Sequence, residues 1–145
     1  MPYEIGIAWS IGTTGKNDGD LTPFNWNLGL LHFGTVRTTN TGGTNPLGFV
    51  VKNTGNIAGN FTVTCAAKTT NWTLVSGGGY NAFDFGVNTN NSANYASLAG
   101  GGIMIGVNVA PGATQSFSLR FAAPNSTNAI GVSQTITLTI TATGN

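Results

Sequence analysis

Residues 47–66 read LGFVVKNTGNIAGNFTVTCA. Phe49 and Val51 stand two apart before the polar tetrad Asn53-Thr54-Gly55-Asn56, and Phe61, Val63 and Cys65 alternate with polar neighbours after it. A period of two apolar positions is the signature of a strand with one buried face. The tetrad reads as a tight turn, with Gly55 supplying a positive φ, so the stretch is expected to form the two arms of a β-hairpin. Its one charged residue is Lys52, and it holds no pair of groups that could move a proton.

The same period recurs on both sides of this stretch. YEIGIAWSI places Tyr3, Ile5, Ile7, Trp9 and Ile11 on one face and Glu4, Gly6, Ala8 and Ser10 on the other. FNWNLGLLHFGTV alternates through Phe24, Trp26, Leu28 and Leu30, then breaks at Leu30-Leu31, which predicts a bulge or a strand passing between sheets. Shorter strands are expected at NWTLVS, around NAFDFGV and at GIMIGVNV. GATQSFSLRFAAP turns Phe117, Leu119 and Phe121 inward. VSQTITLTITAT turns Val132, Ile136, Leu138 and Ile140 inward and sets Thr135, Thr137, Thr139, Thr141 and Thr143 on the other face. Pro111-Gly112 suits the centre of a type II turn. No uninterrupted segment carries apolar residues at i, i+3, i+4 and i+7, so helices are not expected. About eight or nine short strands without helices make an all-β, single-domain β-sandwich of Ig-like or jelly-roll type. Residues 1–12 form an N-terminal strand ahead of a sandwich domain over 13–145.

Composition narrows the function. The chain has 145 residues, enough for one domain that buries roughly 68–70% of its extended surface. Charged residues are only 6% against a usual ~25%, and the formal net charge is +1. Five basic residues scattered along the chain make no stripe for phosphate, so nucleic acid is not an expected partner, and no apolar run approaches a membrane span. A chain so weakly charged lacks the repulsion that keeps copies apart, which favours self-association. Met1-Pro2 is a pair whose methionine is normally trimmed, so its presence suggests that a leader was cut before Met1.

Groups capable of chemistry are few. The acidic residues are Glu4, Asp18, Asp20 and Asp84, and His32 is the one histidine. In LLHFG, His32 alternates with apolar neighbours and reads as a strand residue rather than a base. With no second histidine, no zinc spacing forms around His32 and Cys65. Cys65 excludes an internal disulfide and reads as a small buried hydrophobe. Lys16-Asn17-Asp18-Gly19-Asp20 reads as a solvated turn rather than a calcium loop, and GTTGKN lacks the outer residues of a phosphate loop. No catalytic residue, metal or cofactor is expected, so the chain is not read as an enzyme. Trp26, Trp72 and Tyr80 would make a sugar-stacking face if exposed, and a carbohydrate-binding module stays a minor alternative. Asn60, Asn71, Asn90 and Asn125 each open an Asn-x-Ser/Thr sequon and are candidate glycan sites on polar loops if the chain is secreted by an archaeon or eukaryote.

FVVKNTGNIAGNFTVT, then VAPGATQSFSLRF, then QTITLTITAT resembles, in that order, the surface β-sandwich modules of secreted fibre subunits, specifically the TasA/camelysin type and the archaeal bundling pilins. The resemblance covers residues 45–143. It implies a structural subunit of an extracellular filament or pilus, of the kind found in biofilms, that polymerises with copies of itself by donor-strand complementation. The donor would be Tyr3, Ile5, Ile7, Trp9 and Ile11, completing a neighbour's sheet. The alternative is a viral capsid decoration or head-fibre protein located in the virion.

Overall fold

The structure, a computed structural model, describes residues 10–11, 14–15, 28, 30–39, 49–90 and 94–144, the first two pairs as backbone. In chain order its strands are β1 (Ser10–Ile11), β2 (Thr14–Gly15), β3 (Val36–Thr38), β4 (Phe49–Lys52), β5 (Gly59–Cys65), β6 (Thr73–Leu74), β7 (Ala82–Asn88), β8 (Ala96–Ser97), β9 (Ile103–Val109), β10 (Thr114–Ala122) and β11 (Leu138–Gly144). Among the described residues the one helical element is a 3-10 turn at Leu98–Gly100, N-capped by the Ser97 hydroxyl. The fold is all-β, with two sheets packed face to face.

The larger sheet is centred on β10 and β7, which pair antiparallel from Ser118↔Asn88 to Ala122↔Asp84. β4 and β3 follow one another along the other flank of β10, and β6 and β8 along the other flank of β7. The smaller sheet has the order β11-β5-β9. Between them lies an aromatic core. Phe49 and Phe117, register partners across β4 and β10, stack with centroids 5.3 Å apart, and Phe121 packs against Phe83 and Phe85 at 6.2 and 5.8 Å. Phe61 and Val63 meet this layer from β5. Aromatic pairs of this geometry add about 0.5–1.5 kcal/mol beyond their burial.

All of β7 is buried, including its outward residues Asp84, Gly86 and Asn88. The segment before β8 lies so close over it that a Cβ on Gly86 would stand 2.9 Å from that of Tyr95, so only glycine fits. Asp84 accepts hydrogen bonds from the Gly77 N–H (2.9 Å) and the Ser97 hydroxyl (2.6 Å).

Three expectations need correction. The arms of residues 47–66 do not form a hairpin: β4 pairs with β10, whereas β5 pairs with β11 and β9. The chain crosses between sheets there, so Val51 and Phe61 enter one core from different sheets. Gly55 does not have a positive φ. The Asn53 side chain shapes the crossing instead: its Oδ1 accepts from the Gly55 N–H at 2.9 Å, and its Nδ2 donates to the carbonyls of Ile57 (2.6 Å) and Val109 (2.8 Å). Asn53 is fully buried, and its backbone bonds Ala113 and Gly112.

The second correction concerns Leu28–Thr35, which form no strand among the described residues. Gly34, at φ +68°, sits in a turn in which the Thr35 N–H donates to the His32 carbonyl, leaving His32, Leu30 and Phe33 exposed. Residues 24–27 and 29 of that alternating stretch lie outside the described residues. Finally, Val132 is exposed rather than inward, because β11 begins only at Leu138. The Pro111-Gly112 turn is as expected, with Gly112 at φ +76° and the Ala113 N–H bonded to the Ala110 carbonyl.

Candidate functional site

Leu138, Ile140 and Ala142 of β11 face inward and alternate with exposed Thr139, Thr141 and Thr143. Register with β5 is regular over all seven residues, from Leu138↔Cys65 to Gly144↔Gly59. The inward row, continued upstream by Ile136, packs on the core yet is only partly buried. Among the described residues no strand pairs along the outer flank of β11.

The two margins of this sheet differ. On the β9 side, register shifts between Gly59 and Thr62, and Asn108 takes a left-handed φ of +52° with its N–H donated to Asn60 Oδ1 at 2.7 Å. Bulges and kinks of this kind blunt an edge against pairing. β11 has no bulge, proline or charge, and its inward apolar row is half-covered.

β9 borders β7 and β8: Ile103 and Met104 share a cavity of about 350 Å³ with Val87, Asn88, Tyr95 and Ala96. β1 lies alongside β4 and pairs with β2, Ser10↔Gly15 and Ile11↔Thr14.

No family model, curated protein or solved structure matches the chain.

Of the residues singled out as a donor strand, Tyr3, Ile5, Ile7 and Trp9 lie outside the described residues, and Ile11 is in β1. Trp26 and Asp18 and Asp20 also lie outside them. Trp72 and Tyr80 do not make a common platform. Trp72 tilts against Phe83 at 6.5 Å and donates its Nε1–H to Thr127 Oγ1 at 3.1 Å, whereas Tyr80 is exposed.

The Thr127 hydroxyl also accepts from the Ala129 N–H and donates to Asn81 Oδ1, which ties the β10–β11 connection to the start of β7. Among the sequons, Asn71, Asn90 and Asn125 are exposed in loops. Asn60 is not on a loop; it stands half-buried in the central strand β5. Cys65 is a free, half-buried thiol that faces inward from β5 and is pushed up to about 11 by burial, with a smaller contribution from the Asp84 charge. Among the described residues no three of His, Cys, Asp and Glu gather, and no helix is long and apolar enough to cross a membrane.

Sequence reasoning placed the inward phase of β11 and the face of Cys65 correctly, but it missed Asn53 and Asp84. Asn53 opens the Asn53-Thr54-Gly55-Asn56 turn, where an Asn side chain bonds a nearby backbone N–H, and that was its available signal; Asp84, in the middle of β7, had no such local signal.

Proposed function

We propose that this chain is the structural subunit of an extracellular or cell-surface filament of the TasA/camelysin or bundling-pilin kind. It polymerises with copies of itself when the N-terminal strand Tyr3–Ile11 of one subunit completes the smaller sheet of another. The observation supporting this reading is the regular flank of β11, along which no strand pairs among the described residues, beside a half-covered apolar row on a chain of net charge +1. Added strands gain backbone hydrogen bonds along such an edge, and alternate side chains supply the fit. Each large apolar side chain buried contributes about 1.5–3 kcal/mol before ordering costs. Exposed Asn71, Asn90 and Asn125 are the positions at which glycans would hydrate a surface poor in charge.

The test places Ile7→Lys in the full-length chain and follows growth by light scattering and electron microscopy. Filaments from the parent and none from the variant, with circular dichroism unchanged, is the expected result. Filaments of equal length and yield from both proteins sink the proposal.

A further inference from the structure

We infer that the register of β11 is set at its entrance, by the Gln134 side chain, and not by the ladder that β11 makes with β5. With that side chain removed, the strand takes a second register two residues further on. The inference concerns the subunit alone and does not depend on the filament reading.

The sequence of the strand supplies the first reason. Across residues 135–143 every odd position is threonine, and the even positions read Ile136, Leu138, Ile140 and Ala142. A slip of one residue would turn the apolar row outward, but a slip of two returns threonine to threonine and apolar to apolar. In the register seen, Leu138, Ile140 and Ala142 stand opposite Cys65, Val63 and Phe61. A slip toward the C-terminus puts Ile136, Leu138 and Ile140 there instead. The opposite slip puts Ile140, Ala142 and Gly144 there and gives up apolar contact, so only the first direction is open. Ala142 against Phe61 is the one inward pairing whose shape favours the register seen, and Ala142 lies in a row that is only partly buried.

The second reason is geometric. Immediately before the repeat, Gln134 grips the turn at residues 69–72 with both ends of its amide. Its Oε1 accepts from the Asn71 N–H at 3.1 Å and from the Thr69 hydroxyl, and its Nε2 donates to Asn71 Oδ1 at 2.9 Å. That turn is itself fixed: the Thr69 N–H donates to the Trp72 carbonyl, the Trp72 N–H donates to Thr69 Oγ1, and the Trp72 ring packs on Phe83 of the larger sheet. The next bond, from the Ala66 N–H to the Thr137 carbonyl, is backbone only and forms equally well in either register. A displacement of two residues, roughly 7 Å at about 3.4 Å per residue, carries Gln134 out of reach of the turn. The length it needs lies upstream, in the turn at residues 129–132 with Gly131 at φ +76°. Pulling on the C-terminal end draws on that turn, and Gln134 resists.

The experiment uses full-length protein with Cys65→Ala and pairs of outward cysteines. Thr62→Cys with Thr141→Cys reads the register seen, Thr62→Cys with Thr139→Cys the slipped one, and Thr62→Cys with Thr143→Cys a slip the other way. Diagonal neighbours stand about 7–8 Å apart, too far for a disulfide without backbone movement. Each pair is oxidised in dilute solution with and without Gln134→Ala, and the monomeric disulfide is followed by mass spectrometry. With Gln134 in place, the Thr62/Thr141 pair should close fast and both diagonal pairs slowly. Gln134→Ala should speed the Thr62/Thr139 pair roughly tenfold, because slipping brings it into disulfide geometry, and leave the Thr62/Thr143 pair unchanged. Asn71→Ala, which removes one acceptor from the grip, should act the same way more weakly, and it carries the test if circular dichroism shows Gln134→Ala unfolded. Equal acceleration of both diagonal pairs would mean general loosening, and no acceleration of the Thr62/Thr139 pair would mean that the ladder holds its own register. Either result overturns the inference.

Discussion

Asn53 joins the two sheets. Its amide satisfies carbonyls from two different segments, Ile57 and Val109, and its Oδ1 holds the turn at Gly55, all within the core. Asn53→Ala leaves both carbonyls without that donor; at about 1–3 kcal/mol for each buried group left unpaired, the loss should be roughly 2–6 kcal/mol, read from urea unfolding. A loss no larger than that of an exposed Asn71→Ala control would show the crossing to be held by packing alone.

Cys65 offers a pH-dependent test. Burial favours its neutral thiol, raising it from an ordinary value of 9.0 to about 11. The folded form therefore keeps its proton where the unfolded chain has lost it. Its contribution to stability is complete below pH 9.0 and falls away as pH rises toward about 11. Unfolding midpoints of parent and Cys65→Ala should draw apart in a pH-dependent way only over that interval. Because thiolate is the nucleophile, native Cys65 should also alkylate more slowly than the unfolded chain at pH 8. Equal rates would contradict the burial.

At the scale of the element, β11 and β5 share a period but not an environment. Phe61 at the centre of its sheet is fully buried, whereas Leu138 on the margin is only partly so. Phe61→Ala should cost about 3–5 kcal/mol as a large core cavity, and Leu138→Ala should fall at or below the low end of the roughly 2–5 kcal/mol usual for buried leucine. Equal costs in chemical denaturation would mean that the flank of β11 is already fully covered. The hairpin expectation failed at this scale too. Alternation told which residues of β4 and β5 face inward, but two strands with the same inward phase fit one sheet or two facing sheets equally well.

For the molecule as a whole, net charge of +1 from five basic and four acidic residues leaves no long-range field to screen. The proposed filament growth should therefore change little between low and high salt, as followed by light scattering. A steep salt dependence would point to an assembly interface made by the few charged side chains rather than by an apolar strand.

The sequence by itself determined that the fold would be all-β and which faces of β4, β5, β10 and β11 would turn inward, because period-two alternation and glycine-proline turns act locally along the chain. Only the tertiary structure decided pairing. Antiparallel ladders join residues far apart, such as Ile140 to Val63 and Phe117 to Phe49, and no local pattern distinguishes a return within one sheet from a crossing to the other. The same limit hid the contrast between margins. A bulge at β9 and a clean flank at β11 arise from register, which exists only once two strands have met.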